Sequence, residues 1–172
     1  EEKMPIYEYK CKECGFVFME SIPDTQTLIN YYSNYSYQVE KEIPFATRIS
    51  YNKLLDKLEK YRKNNLLIDY GCGRGWFLNE AQKRGWNVIG IEISEKSIEL
   101  NKKNNISIFR SFQEINSEYL GKVDVITSFE VIEHFANPHE FMSQSHFFLR
   151  KHGLFYLTTP NFNNALLRIH ID

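Results

Sequence analysis

The sequence predicts a doubly wound α/β domain: a mostly parallel sheet with helices on both faces, preceded by a small N-terminal appendage. Three observations predict it. From Leu66 onward short apolar runs alternate with longer amphipathic ones, a glycine-rich turn joins the first run to a helix, and the second run ends in an acid. The apolar runs are Leu66–Tyr70, Trp86–Ile91, Ile106–Arg110, Val123–Ser128 and Leu154–Thr159. Parallel strands need long crossovers, and the stretches between these runs have the length for them.

Taken in chain order, residues 1–45 form the appendage, with a cysteine pair, Pro5, Pro23 and Pro44, and a tyrosine-rich stretch from Tyr31 to Tyr37. Residues 46–172 form the main domain. Its first segment, Ala46–Lys63, spaces Ile49, Leu54, Leu55, Leu58 and Tyr61 among charges, the pattern of an amphipathic helix laid on a sheet. Helices follow at Trp76–Lys83, Glu95–Asn101 and Pro138–Leu149. The last carries the fullest set of boundary signals: Asn137 to cap it, Pro138 at its first position and Glu140 where a capping box wants an acid. Lys151-His152-Gly153 predicts a basic end and a glycine stop before the next strand. No internal repeat is present.

Bulk properties exclude several function classes. A formal charge of −1 provides no general attraction to nucleic-acid phosphates or to anionic membranes. No apolar run approaches the roughly 20 residues that span a bilayer, and the N-terminus lacks the basic and apolar regions of a signal peptide. Cys11, Cys14 and Cys72 are odd in number and lack the spacing of a disulfide framework. These features predict a cytoplasmic protein with neither nucleic acid nor membrane as partner.

The chemistry begins at Asp69-Tyr70-Gly71-Cys72-Gly73-Arg74-Gly75, between an apolar strand and a helix. Glycines there allow a sharp turn and close approach to a ligand. The spacing is G-x-G-x-G, with Trp76 where a dinucleotide fingerprint would place its third glycine, which disfavours a pyrophosphate seat. Glu92 then stands at the end of Val88-Ile89-Gly90-Ile91, where a carboxylate can accept hydrogen bonds from ribose hydroxyls. Nicotinamide and adenosyl ligands share that requirement.

These stretches resemble the class I S-adenosylmethionine-dependent methyltransferases, which have a Rossmann-like fold. LLIDYGCGRGWF is similar to their first motif and VIGIEIS to their second-strand motif. VDVITSFEVIEHFANP and LRKHGLFYLTTPN resemble the fourth strand with its following loop and the fifth-strand segment. The subgroup most similar includes ubiquinone-biosynthesis O-methyltransferases and sugar-modifying enzymes. The resemblance implies that Asp69, Gly71, Gly73 and Gly75 surround the amino-acid end of the cofactor and that Glu92 holds its ribose. It also implies cofactor contacts from Ile93, Ser111, Phe112, Phe129 and Glu130. Ser111 replaces an acid that many members aim at the adenine amine, so adenine recognition falls to a backbone group, to Ser111 or to packing on Phe112. Members usually have seven strands; this chain has five, and is expected to be a fragment without the last two.

Glu130, Glu133 and His134 are spaced to share one side of a helical turn. Such a trio can bind a divalent metal, hold a substrate hydroxyl or line the cofactor pocket. His134 is the candidate catalytic base for a hydroxyl acceptor, a small molecule or a sugar. A similar Glu-x-x-Glu-His pattern binds metal in small-RNA 2′-O-methyltransferases together with a later histidine, for which His170 is the candidate here.

Cys11-Lys-Glu-Cys14-Gly15, followed by Phe16 and Phe18, resembles one knuckle of a zinc ribbon. Cys11 and Cys14 are thus candidate ligands of an incomplete zinc site, since two pairs are needed for four thiolates. Tyr31, Tyr32, Tyr35 and Tyr37 form, by resemblance, a lid over the cofactor cleft, or else an aromatic packing surface. The resulting expectation is an S-adenosylmethionine-dependent methyl transfer to oxygen. The alternatives are an NAD-type oxidoreductase and a non-catalytic adenosyl-cofactor-binding module.

Overall fold

The computed structural model describes residues 8–15, 17–19, 26–27, 30–31, 42–135 and 137–161. Tyr32, Tyr35, Tyr37 and His170 lie outside the described residues, whereas Tyr31 is exposed. Two short strands, β1 (Glu8–Lys10) and β2 (Val17–Met19), pair antiparallel with Tyr9 opposite Phe18. The Cys11–Gly15 turn joins them, closed by the Gly15 amide donating to the Cys11 carbonyl at 2.9 Å.

The first helix, α1 (Phe45–Leu58), starts directly after Pro44 and continues as a 3₁₀ turn over Glu59–Tyr61. The apolar spacing predicts one helix to Lys63, yet Arg62 is already extended. The Lys63 and Asn64 amides instead donate to Asp124 Oδ2, at 3.0 and 2.7 Å. A side-chain acceptor from a distant strand outcompetes the next helical carbonyl.

Next come β3 (Leu66–Tyr70), α2 (Trp76–Lys83), β4 (Asn87–Ile91), α3 (Glu95–Lys103), β5 (Ser107–Phe109), β6 (Val123–Phe129), α4 (Pro138–Phe148) and β7 (Leu149–Thr158). The five strands from β3 to β7 form one parallel sheet in the order β5-β4-β3-β6-β7. β3 and β6 are central and buried on both sides, which is why they read as unbroken apolar runs with few polar exceptions. Those exceptions, Asp69, Asp124, Thr127 and Ser128, are buried.

Side-chain alternation sends Leu67 and Val125 to one face, in a cluster with Leu55, Leu58, Phe77, Leu78 and Trp86 from α1, α2 and the entry to β4. Ile68, Ile89, Ile91 and Ile126 point to the other face, clustered with Phe141 and Phe148 of α4. Each fully buried Leu, Ile or Phe contributes roughly 1.5–3 kcal/mol of transfer free energy. α4 has the expected start: the Asn137 side chain accepts from the Glu140 amide at 3.3 Å, and Pro138 holds the first position.

Its end differs from the expectation. The strand begins at Leu149, so Lys151, His152 and Gly153 lie inside β7 rather than in a helix-capping loop. The cause is Arg150, whose Nε donates to the buried Asp124 Oδ1 at 2.5 Å and whose Nη2 donates to the Tyr61 carbonyl at 2.5 Å. Anchoring Arg150 there pulls the chain into the sheet early, and the pairing of β6 with β7 absorbs the extra residues as a register shift between Val123 and Val125.

Candidate functional site

The strand order sets the place of a ligand cleft. From β3 the chain passes to β4 and β5 on one side, then returns to β6 and β7 on the other. Its direction thus reverses between β3 and β6, and connections at their carboxyl ends diverge to leave a crevice.

At the end of β3 the glycine turn folds over the neighbouring strand: the Gly71 and Cys72 amides both donate to the Ile91 carbonyl, at 2.8 and 3.1 Å. Gly71 has φ +71°, and a Cβ there would lie 2.4 Å from Val131 Cγ2, in the loop after β6. Gly75, with φ +70°, starts α2 and admits no Cβ either, because Asn101 occupies that space. Both positions combine a left-handed backbone with a close approach, and either requirement selects glycine.

Glu92 is 8% exposed, and its carboxylate grips its own surroundings. Oε2 accepts from the Gly73 amide at 2.8 Å, and Oε1 accepts from the Ile93 and Ser94 amides at 2.8 Å each. A carboxylate offers about four lone-pair sites, so these three bonds leave acceptor capacity on Oε2 for a hydroxyl. Ile93, beside it, is half-buried.

Asp69 is 2% exposed, pairs in register with Thr127 of β6, and accepts from Thr127 Oγ1 at 2.7 Å. Burial pushes its pKa up to about 7; the Thr127 hydrogen bond opposes the rise and the Glu92 charge adds to it. A carboxyl poised there gains most from a nearby cation. Above it Tyr51 of α1 is packed edge-on to Phe77 (5.2 Å) and tilted against Phe129 (5.6 Å), and burial followed by the Asp69 charge raises its phenol to about 12. Phe129 also contacts Tyr156, so aromatic rings wall this side of the crevice.

The remaining candidates separate. Ser111 is half-buried ahead of a 3₁₀ turn, while Phe112 is 2% exposed and stacks on Phe148 at 4.9 Å. The Phe112 ring therefore faces the core. Glu130 is exposed with φ +54°, its amide held by the Thr158 carbonyl. Only Ile132–His134 forms a turn, of 3₁₀ type, so Glu130, Glu133 and His134 do not share the side of a helix that their spacing predicts. Glu130, in the left-handed region just past the end of β6, precedes that turn and is not part of it. Glu133 accepts from Thr159 Oγ1 at 3.1 Å and lies 4.0 Å from His134 Nε2. Among the described residues, no three His, Cys, Asp or Glu side chains gather as a metal ion would need.

Cys11 and Cys14 sit together on the hairpin turn. Backbone amides of Cys14 and Glu13, then the Cys14 side chain, hold the Cys11 thiol below its ordinary pKa. Cys72 is the opposite case, buried and raised well above that value by burial and by the Asp69 and Glu92 charges.

Sequence reasoning missed Thr127, Val131, Tyr51 and Asn101. Thr127 could have been found from the strand order, which makes it the neighbour of Asp69. Asn101 is hidden in a run of lysines and asparagines; its one signal is a position four residues after Ser97, on the buried stripe of α3.

With this geometry in place, likeness to known proteins is decisive. A family described as a methyltransferase domain matches residues 44–169. The chain belongs to that family. Similar curated proteins are the ubiquinone biosynthesis O-methyltransferases of Pelagibacter ubique, 34% identical over 110 residues, and of Bartonella tribocorum, 29% identical over 106. These matches cover 60% and 57% of this chain but 45% and 42% of the relatives, so the chain spans less than half of their length. Among solved structures, a SAM-dependent methyltransferase from Archaeoglobus fulgidus superposes with a TM-score of 0.58 at 20% identity, covering 87% of this chain and 65% of its own. The plantazolicin methyltransferase BpumL, solved with SAH and a pentazolic substrate analogue, gives 0.59 at 23%, covering 81% and 54%. At such identities the structures establish the Rossmann-like fold. No helix among the described residues is long and apolar enough to cross a membrane.

Proposed function

We propose that the crevice at the ends of β3, β4 and β6 binds S-adenosylmethionine and directs its methyl group to an oxygen of a small-molecule or sugar acceptor. The observation that carries this reading is the joint between the glycine turn and the second-strand acid. Gly73 and Glu92 lie 19 residues apart, yet they meet at 2.8 Å in a turn whose Gly71 and Gly75 leave no room for a Cβ against Val131 and Asn101. The groups present suit the cofactor: free acceptor capacity on Glu92 for ribose, backbone turned tightly at Gly71, Gly73 and Gly75, and a buried Asp69 whose charged form a cationic ligand would favour. The relatives named as O-methyltransferases support oxygen as the target.

When bound, S-adenosylmethionine supplies a methyl group already activated on a sulfonium. The protein's task is then alignment and proton handling. Asp69, Glu92, Ile93 and Phe129 fix one side of the crevice, and Ser111 with its backbone stands where adenine would be read. His134, on the exposed turn after β6, would take the acceptor hydroxyl's proton at a ring nitrogen as that oxygen receives the methyl group and the carbon–sulfur bond of the sulfonium breaks. Glu133, 4.0 Å from Nε2, is an opposite charge for the imidazolium produced. Residues 1–45 act as an appendage to the domain formed by 46–172, and Cys11 with Cys14 provides half of a zinc site.

The test is calorimetric titration with S-adenosylhomocysteine and with NAD, followed by transfer of labelled methyl to phenolic and sugar hydroxyls. Binding of S-adenosylhomocysteine with none of NAD is expected; binding of NAD alone would overturn the reading. His134→Ala should lower transfer about a hundredfold without changing cofactor affinity.

A further inference from the structure

Asn101 lies in the last turn of α3, far from the glycine turn in sequence, yet it is fully buried. Its Nδ2 donates to two carbonyls at once, Gly73 in the glycine turn and Ser97 one helical turn back, both at 2.7 Å. The amide oxygen, by contrast, has no hydrogen-bond partner. It points at Gly75, where a Cβ would sit 1.7 Å away. An apolar side chain would fill this site without leaving a buried oxygen unpaired, so packing alone does not account for an asparagine.

Gly73 is therefore held on both sides. Glu92 accepts from its N–H, in the peptide group before it, and Asn101 donates to its C=O, in the peptide group after it. Neither of these two peptide groups can flip without breaking its bond. Beside them, the Asn101 oxygen occupies the place a Cβ at residue 75 would take, and Gly75 starts α2 in the left-handed conformation.

We infer that Asn101 is a positioning residue for the cofactor: it pre-sets the glycine turn by clamping the Gly73 carbonyl against α3 and by obliging residue 75 to be glycine. The inference rests on the cofactor reading above, because it assigns Asn101 the task of holding that loop ready. In its absence the loop samples other conformations, and ordering it on binding weakens affinity.

Asn101→Leu and Asn101→Ala test this, the first keeping the branched shape without the amide and the second avoiding any crowding of Gly75. S-adenosylhomocysteine affinity is measured by calorimetry beside a thermal melt, with Phe148→Leu on the opposite face as a control for general destabilisation. The expected result is a rise in dissociation constant of about tenfold in both Asn101 variants, at melting temperatures no lower than the control's, with unchanged affinity in the control. Amide hydrogen exchange over residues 71–76 of the ligand-free protein should quicken in the same variants. Affinity within twofold of wild type in a folded variant would overturn the inference, as would a loss matched by Phe148→Leu. Wild-type protein that binds no S-adenosylhomocysteine would instead overturn the cofactor reading on which it rests.

Discussion

Replacing Asp69 with asparagine should stabilise the protein while weakening cofactor binding, and the size of the gain should depend on pH. Asp69 is 2% exposed, and its pKa stands at about 7 against an ordinary 3.8. For an acid raised in this way the folded state holds the proton longer than the unfolded chain. Stability attached to the group is thus greatest below about pH 4, declines as pH rises from 4 to 7, and is lowest above 7, where the folded protein carries the buried charge. A gap of about 3 on the pH scale, at 1.36 kcal/mol for each tenfold, amounts to about 4 kcal/mol as an upper bound. Asparagine keeps an oxygen for the Thr127 hydroxyl and never ionises. Asp69→Asn should therefore match wild type at pH 4 and exceed it by about 2–4 kcal/mol at pH 8, or roughly 5–15 °C in melting temperature for a domain of this size. Chemical denaturation from pH 4 to 9 measures this. A stability difference that stays constant across that range would refute the argument that a buried ionising carboxyl is responsible. The same substitution should raise the dissociation constant for S-adenosylmethionine, a cation, more than that for uncharged analogues.

Other outcomes follow from the same structure. Arg150→Met leaves Asp124 buried without its cation and should cost about 3–5 kcal/mol by denaturation. Burial works against the charged form of Asp124, but the Arg150 hydrogen bond and the Lys63, Leu66 and Asn64 amides outweigh it and lower its pKa. Its contribution is thus present above the ordinary aspartate value of 3.8 and lost as pH falls through the depressed one, so acid melts of wild type should steepen below about pH 4 and those of Arg150→Met should not. Gly71→Ala should lower stability by about 1–3 kcal/mol; adding Val131→Ala relieves the 2.4 Å contact but not the left-handed φ, so partial recovery is expected from melts of the pair. A thiol reagent at pH 8 should titrate Cys11 and Cys14 in the native protein and reach Cys72 only in denaturant, because burial keeps that thiol protonated.

Much of the fold is legible in the residues. β3 and α2 begin and end where the apolar runs and glycine signals put them, and β4, β5, β6 and α3 agree to within two residues at either end. Long-range polar contacts account for the two larger departures. The end of α1 and the start of β7 both shift because Asp124 draws the Lys63 and Asn64 amides and the Arg150 guanidinium to one point. Nothing local to Lys63 or Leu149 encodes that, since the partner is about 60 residues away in one case and 26 in the other. The β1–β2 hairpin is also absent from the pattern, its strands of three residues being too short for alternation to register.

For the candidate site the division has the same cause. Glycines at 71, 73 and 75 and an acid at 92 are chemical necessities of a tight turn and a polar strand tip, so they stand out in the chain as a spacing. Asp69, Thr127, Tyr51 and Asn101 acquire their parts only when strands pair and helices pack: Asp69 through its register with Thr127, Tyr51 by lying over Phe77 and Phe129, Asn101 by reaching Gly73 across the α3–turn contact. Spacing also misjudged the Glu130, Glu133 and His134 trio, because a left-handed Glu130 just past β6 and a 3₁₀ turn stand where an α-helix would have aligned them. Local sequence determines where the backbone must bend and which strand tip carries charge. Burial, and with it the protonation of Asp69 and the grip on Gly73, is decided by neighbours that only the folded sheet brings within hydrogen-bonding distance.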